Sequence, residues 1–155
     1  MGTSENALLK GVAHLMRWPI LAFQFQLLAL HKEERRVVDL IKTIKKEGLS
    51  LMWPTEMMQI YHCISSVKKK GGDFAEVGVF AGRSAKLICE VKGERVLHLF
   101  DTFQGLPPPD TIDDTYILRE KAYAAELDSV KGYLHKYKNI FFYKGSILRY
   151  HKFLQ

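Results

Sequence analysis

Apolar positions recur with a helical period over the first third of the chain and with a strand-like pattern after residue 73. From Ala7 to Leu30 the chain is rich in Leu, Phe and Trp, interrupted by Lys10, His14, Arg17, Gln24 and Gln26. Residues 4–31 therefore read as one or two helices, with Pro19 marking a break because proline lacks the N–H that a helix interior uses. Glu33 to Lys46 reads as a clearer amphipathic helix, with Val37, Leu40, Ile41 and Ile44 on one face and Gly48 as its stop. After Pro54, the spacing of Met57, Ile60, Tyr61 and Ile64 predicts another helix before Lys70-Gly71-Gly72.

The period then shortens. Phe74 to Gly78 is a strand candidate, followed by a glycine-bearing turn and a helix over Ser84–Val91 that can bury Ala85, Leu87, Ile88 and Val91. Arg95 to Phe100 reads as a second strand ending at Asp101, with His98 packed inside it rather than catalytic. A loop with three prolines and three aspartates, Pro107 to Asp114, leads to helical sequence. Its last part, Asp128 to Tyr137, carries Asp128 as a cap and the spacing Val130, Tyr133, Leu134, Tyr137. Ile140 to Lys144 is a third strand, closed by Gly145. The expected fold class is α/β. A helical N-terminal segment, 1–72, precedes the βαβαβ half of a Rossmann-like parallel sheet, 73–155. Such crossovers gather ligand residues at the strands' carboxyl ends.

Composition narrows the function classes. At 155 residues the chain can bury a real core, and 47% hydrophobic with 26% charged residues is ordinary for a globular protein. The net charge of +6 is dispersed, apart from Lys68-Lys69-Lys70, and no zinc-finger spacing or recognition aromatic motif points to nucleic acid. Cys63 and Cys89 form no CxxC pair and have no His or Cys at metal-ligand spacing, so they read as reduced thiols of a cytoplasmic protein. The uncharged run from Trp18 to Leu30 is shorter than the about 20 residues a membrane span needs. The N-terminal helices are expected to pack on the rest of the chain or on a second copy. Peripheral membrane contact is the lesser option.

Three features point to a nucleoside-type ligand. Gly78-Val79-Phe80-Ala81-Gly82 directly follows the first strand and opens a helix; glycine there permits a sharp turn and close backbone approach. The helix starting near Arg83-Ser84 offers unpaired N–H groups and a positive dipole end. Asp101 ends the second strand nineteen positions after Gly82, where an acid can accept from both ribose hydroxyls. Taken singly, these features have simpler readings. The glycines can serve a tight turn only, Glu76 can pair with a local cation, and Thr102 and Phe103 can merely shape a turn. Asp110, Asp113 and Asp114 can be a solvated loop rather than a metal site.

The string Asp73-Phe74-Ala75-Glu76-Val77-Gly78-Val79-Phe80-Ala81-Gly82-Arg83-Ser84 resembles the first cofactor motif of the macrocin O-methyltransferase family. Leu99-Phe100-Asp101-Thr102-Phe103-Gln104-Gly105-Leu106-Pro107 is similar to that family's second signature, and Phe142-Tyr143-Lys144-Gly145 to the end of its third strand. The resemblance implies an S-adenosylmethionine-dependent methyltransferase acting on a small-molecule or sugar hydroxyl, with a divalent metal in the family whose ligands lie in later strands. It implies Glu76 near the methionine amino group, Gly78 and Gly82 as close-approach backbone, Asp101 on the ribose, and Thr102 and Phe103 beside ribose and adenine. Val79, Phe80 and Ser84 complete the cofactor motif. Phe80 stands where a nicotinamide-binding GxGxxG turn would more often carry glycine.

The residues after Gly145 do not resemble the family's second half. The chain is therefore expected to be truncated and possibly inactive alone, with no catalytic residue assignable. Its sheet edge would be open, covered by a partner, or covered by the N-terminal helices. The alternative function is a non-catalytic, methyltransferase-like interaction protein that acts through its apolar helices and that edge, with homo-oligomerisation possible.

Overall fold

The computed structural model describes residues 2–30, 34–108, 121–147 and 150, with side chains from Leu15 onward apart from Ala29. The acidic cluster Asp110, Asp113 and Asp114 and the first residues of the helical sequence expected after it, 115–120, lie outside the described residues; 121–126 form turn and coil rather than helix. The chain forms two compact units, Met1–Gln59 and Ile60–Gln155.

The first unit holds α1 (Gly2–Ala29), α2 (Arg35–Lys46) and the start of α3 (Pro54–Ser66). The break expected at Pro19 is not found: α1 runs through it as one helix. An interior proline costs about 3 kcal/mol, and residues 15–20 around it are exposed. In α2 the expected Ile41 and Ile44 are buried, Val37 and Leu40 are half-buried, and Val38 joins the buried stripe. The connection to α3 is held by polar ties. Lys45 Nζ donates to the carbonyls of Ser50 (3.2 Å) and Met52 (2.7 Å), and Glu56 accepts from the Trp53 N–H at 2.6 Å in half of a capping box. Gln24 Oε1 accepts from both the N–H and hydroxyl of Thr55, tying α1 to the start of α3.

The second unit is the expected α/β half-sheet. β1 (Phe74–Val77), β2 (Leu97–Asp101) and β3 (Ile140–Lys144) pair in parallel in the order β1-β2-β3. The register sets Glu76 beside Leu99 and Asp101 beside Lys144. Strand alternation sends Leu97 and Leu99, both fully buried, into a core with Ala85, Ile88 and Cys89 of α4 (Arg83–Val91) and Val130 and Leu134 of α5 (Leu127–Leu134). Burial pushes the Cys89 thiol up to about 12, so it is an inert packing group. Asp128 does not cap α5: the N-cap is Glu126, and Asp128 sits in the first turn, where its charge favours the helix dipole.

Two cations brace the crossovers. Lys92, 6% exposed, donates to the carbonyls of Gly93, Arg95 and Lys138, joining the end of α4 to the approach to β3. Arg95 donates to the carbonyls of Gly72 and Val67 and stacks over Phe74 at 3.9 Å, fixing the entry to β1. On the opposite sheet face, His98 lies between Asp73 and Tyr143 and stacks on Phe141. This is the packed strand position expected of it. No described helix is long and apolar enough to cross a membrane.

Candidate functional site

The parallel register brings the carboxyl ends of all three strands together, and with them the glycine turn, the loop after Asp101 and Gly145-Ser146. The N–H of Gly78 still donates to the Phe100 carbonyl (2.9 Å), so the turn begins where sheet pairing ends. Gly78 takes φ +86°, and a Cβ there would meet nothing within 4 Å. It is the glycine of the turn that faces open space. Gly82 (φ +73°) is different: a Cβ would meet Val130 Cγ1 at 3.0 Å, with Tyr133 and Leu134 close behind. Its missing side chain lets α5 pack against the start of α4, a close approach of protein rather than of ligand.

Glu76 lies at the inner end of this turn. Its Oε1 accepts the Ser84 hydroxyl, while Oε2 is buried with no hydrogen-bond partner. Burial pushes its carboxyl from the ordinary 4.5 up to about 7; the Ser84 bond opposes this and the nearby Asp101 charge adds to it. Among the described residues no cation pairs with Glu76. Arg83 and Lys86 lie over the Tyr133 ring instead, at 4.0 Å and 5.2 Å. A buried carboxylate with one open oxygen is suited to a ligand cation that donates hydrogen bonds.

Asp101 has a structural job. Oδ2 accepts the N–H groups of Val79 (2.7 Å) and Phe80 (2.8 Å), and Oδ1 accepts that of Phe103 (2.7 Å). Phe80 and Phe103 both stand at positive φ, 48° and 54°, where non-glycine residues are strained. The carboxylate thus holds two strained loops against each other. A carboxylate has about four lone-pair sites, so three accepted bonds leave little capacity for further donors.

The remaining expected residues divide by burial. Val79 (2% exposed) and Phe103 (7%) belong to the hydrophobic core, so both support the loops from beneath. The Phe103 ring is therefore packed in the core, where the expectation had it beside a ligand. Phe80 is partly exposed and meets Tyr123 edge-on at 6.0 Å between centroids. The Thr102 hydroxyl donates to the Gly105 carbonyl (3.1 Å) and accepts the Gln104 N–H (3.2 Å), a local turn that shapes the loop.

An open cavity of about 480 Å³ lies beside that loop, lined by Thr102, Gln104, Lys144, Gly145 and Ser146. Gln104 falls in the Asp101–Leu106 stretch expected at the crevice, whereas Lys144 was not foreseen as a lining residue; its nearest signal in the sequence was its place at the end of the third strand. The site as a whole carries two neighbouring carboxylates at the mouth of a glycine turn. That charge disfavours phosphates at the start of α4 and favours a cationic, hydroxyl-bearing ligand. No group of three or more His, Cys, Asp or Glu side chains among the described residues could hold a metal.

No protein-family model matches the chain, and no curated protein sequence matches it. Its structure is similar to a solved one titled "Structure of the O-methyltransferase NovP", with a TM-score of 0.53 and 18% sequence identity. The match covers 62% of this chain and 47% of that one, so the chain spans less than half the length of the protein it matches. At this identity the likeness is one of fold: a parallel α/β sheet flanked by helices.

Proposed function

We propose that this chain forms the cofactor-binding part of an S-adenosylmethionine-dependent O-methyltransferase that acts on a small-molecule or sugar hydroxyl. The observation that carries the reading is the singly satisfied carboxylate of Glu76, whose Oε2 is buried without a partner two positions before Gly78. A methionine ammonium is a compact cation with three donors, the group that such an oxygen lacks. Gly78 leaves room for the ligand backbone, and the last acceptor capacity of Asp101 serves a ribose hydroxyl. The cavity by Thr102, Gln104 and Ser146 offers polar groups for a base edge.

When bound, this cofactor supplies an electrophilic methyl group. Glu76, Gly78 and Asp101 would hold it, and the methyl group would be available for transfer to an acceptor hydroxyl. This chain's own residues bind and orient. The exposed apolar residues of α1 favour a second, compatible role in association.

The test is calorimetric titration of the purified chain with S-adenosylhomocysteine, beside Glu76→Gln. Micromolar binding is expected, weakened about tenfold to hundredfold in the variant, because a hydrogen bond to a charged group contributes roughly 1.5–3 kcal/mol. A folded chain that ignores the ligand at millimolar concentration, or a variant that binds equally well, would sink the reading.

A further inference from the structure

The first unit holds a cavity of its own, about 420 Å³ between α1 and the segment that joins α2 to α3. That volume lies in the range of about 300–1,000 Å³ common to small-ligand pockets. Met16, Ile20 and Leu21 line it from α1, where residues four apart stand one above the other on the same face. Leu51, Met52 and Trp53 line it from the connecting segment. Two cations, Arg17 and Lys45, complete the lining, and no acid belongs to it among the described residues.

The two cations are held differently. Lys45 is half-buried, and two of its three donors go to the carbonyls of Ser50 (3.2 Å) and Met52 (2.7 Å). Those bonds fix its ammonium at the cavity wall. Arg17 is exposed and forms no hydrogen bond or ion pair among the described residues. Burial, and after it the charge of Arg17, holds the Lys45 ammonium below its ordinary value. The Glu56 carboxylate acts the other way but more weakly, and its Oε2 already accepts the Trp53 N–H. Two like charges therefore repel each other beside an apolar cavity, and an anion set between them relieves that repulsion.

We propose that this cavity binds an amphipathic carboxylate, with Arg17 and Lys45 on its head group and the six apolar lining residues around its chain. A wholly apolar occupant would leave both cations facing hydrocarbon, which is costly. A small inorganic anion would leave the apolar walls uncovered. A guanidinium matches a carboxylate with two parallel N–H···O bonds, and the free donor of Lys45 adds a third. The proposal is independent of the ligand reading above.

The chain has two tryptophans, so Trp18→Phe leaves Trp53, in the cavity lining, as the sole reporter. That full-length variant is titrated with decanoate below its micelle concentration while tryptophan fluorescence is followed. Calorimetry of the unsubstituted chain repeats the series. Sub-millimolar binding is expected, with decanol and decyltrimethylammonium at least about tenfold weaker and acetate without effect. Arg17→Gln, at an exposed position, is expected to weaken decanoate at least about tenfold and to leave decanol unchanged. Circular dichroism checks its folding, and if it does not fold the ligand series decides alone. Decanoate that binds no tighter than decanol, or equally well to folded Arg17→Gln, overturns the proposal. So does a Trp53 response to phosphatidylglycerol vesicles but not to monomeric decanoate, or displacement of decanoate by S-adenosylhomocysteine.

Discussion

The Ser84 hydroxyl donates to Glu76 across the glycine turn, satisfying one carboxylate oxygen and leaving its twin buried and bare. The serine sits in the first turn of α4 and the glutamate on β1, eight positions earlier, so the bond also joins strand to helix. It holds Glu76 in place without neutralising it. The orphan oxygen makes the site unstable on its own terms and selective for a cation.

That instability has a pH signature. With its folded-state value near 7 and an ordinary 4.5, Glu76 holds its proton more tightly in the folded chain. Its contribution is therefore least unfavourable below pH 4.5, and stability is lost as pH rises through the window to about 7. At pH 8 Glu76→Gln is expected to stabilise the chain by up to about 3 kcal/mol relative to wild type. At pH 4 the two are expected to converge. Urea denaturation at both pH values measures it, and equal midpoints at pH 8 would refute it.

Ligand affinity is expected to run the other way. An ammonium beside Glu76 needs the ionised carboxylate, so binding expels the proton that Glu76 holds near pH 7. The affinity for S-adenosylhomocysteine should rise with pH up to about 7.5 and level off above it, falling toward tenfold per pH unit below about 6. Titration in buffers of different ionisation enthalpy reports the released proton directly. A flat profile in the wild type, or a sloped one in Glu76→Gln, would place the linkage elsewhere.

Asp101→Ala removes the acceptor of three backbone donors and frees two positive-φ phenylalanines at once. A loss of roughly 2–4 kcal/mol is expected, several times that of a surface substitution. Asp101→Asn should recover part of it, since its amide oxygen can still accept. Because the loops shift in either case, lost ligand binding in these variants cannot be assigned to a ribose contact, so Glu76 is the cleaner probe. Thermal denaturation of the three proteins decides; an Ala variant as stable as wild type would remove the structural role.

The glycines are expected to separate stability from binding. A Cβ on Gly105, at φ +82°, would sit 2.6 Å from the carbonyl oxygens of both Lys121 and Ala122. Gly105→Ala should therefore cost several kcal/mol, well beyond the ~1 kcal/mol of an unfavourable φ alone. Gly78→Ala, with open space around it, should cost only that smaller amount but weaken ligand binding at least tenfold. Paired denaturation and titration curves test both halves. Equal stability losses in the two variants would contradict the contrast.

Local chemistry made much of the fold legible in advance. The 3.6-residue stripes of α2 and α3, the apolar run of β3 and the turn glycines each depend on neighbours in sequence, so β3 falls on the expected residues, Ile140–Lys144. The acid at the end of β2 and the glycine turn were visible for the same reason. What sequence could not supply were relations between residues distant in the chain. Gly82 is small because α5 packs on it, Phe103 is in the core because its loop folds under, and Asp101 is occupied by backbone donors about twenty residues away. Pro19 lies inside a helix against its local propensity. The sequence by itself determined the periods, the turns and the kinds of side chain at the strand ends. Tertiary structure alone decided which of those side chains are buried and which bonds they have already made, since burial and desolvation arise only when distant segments meet.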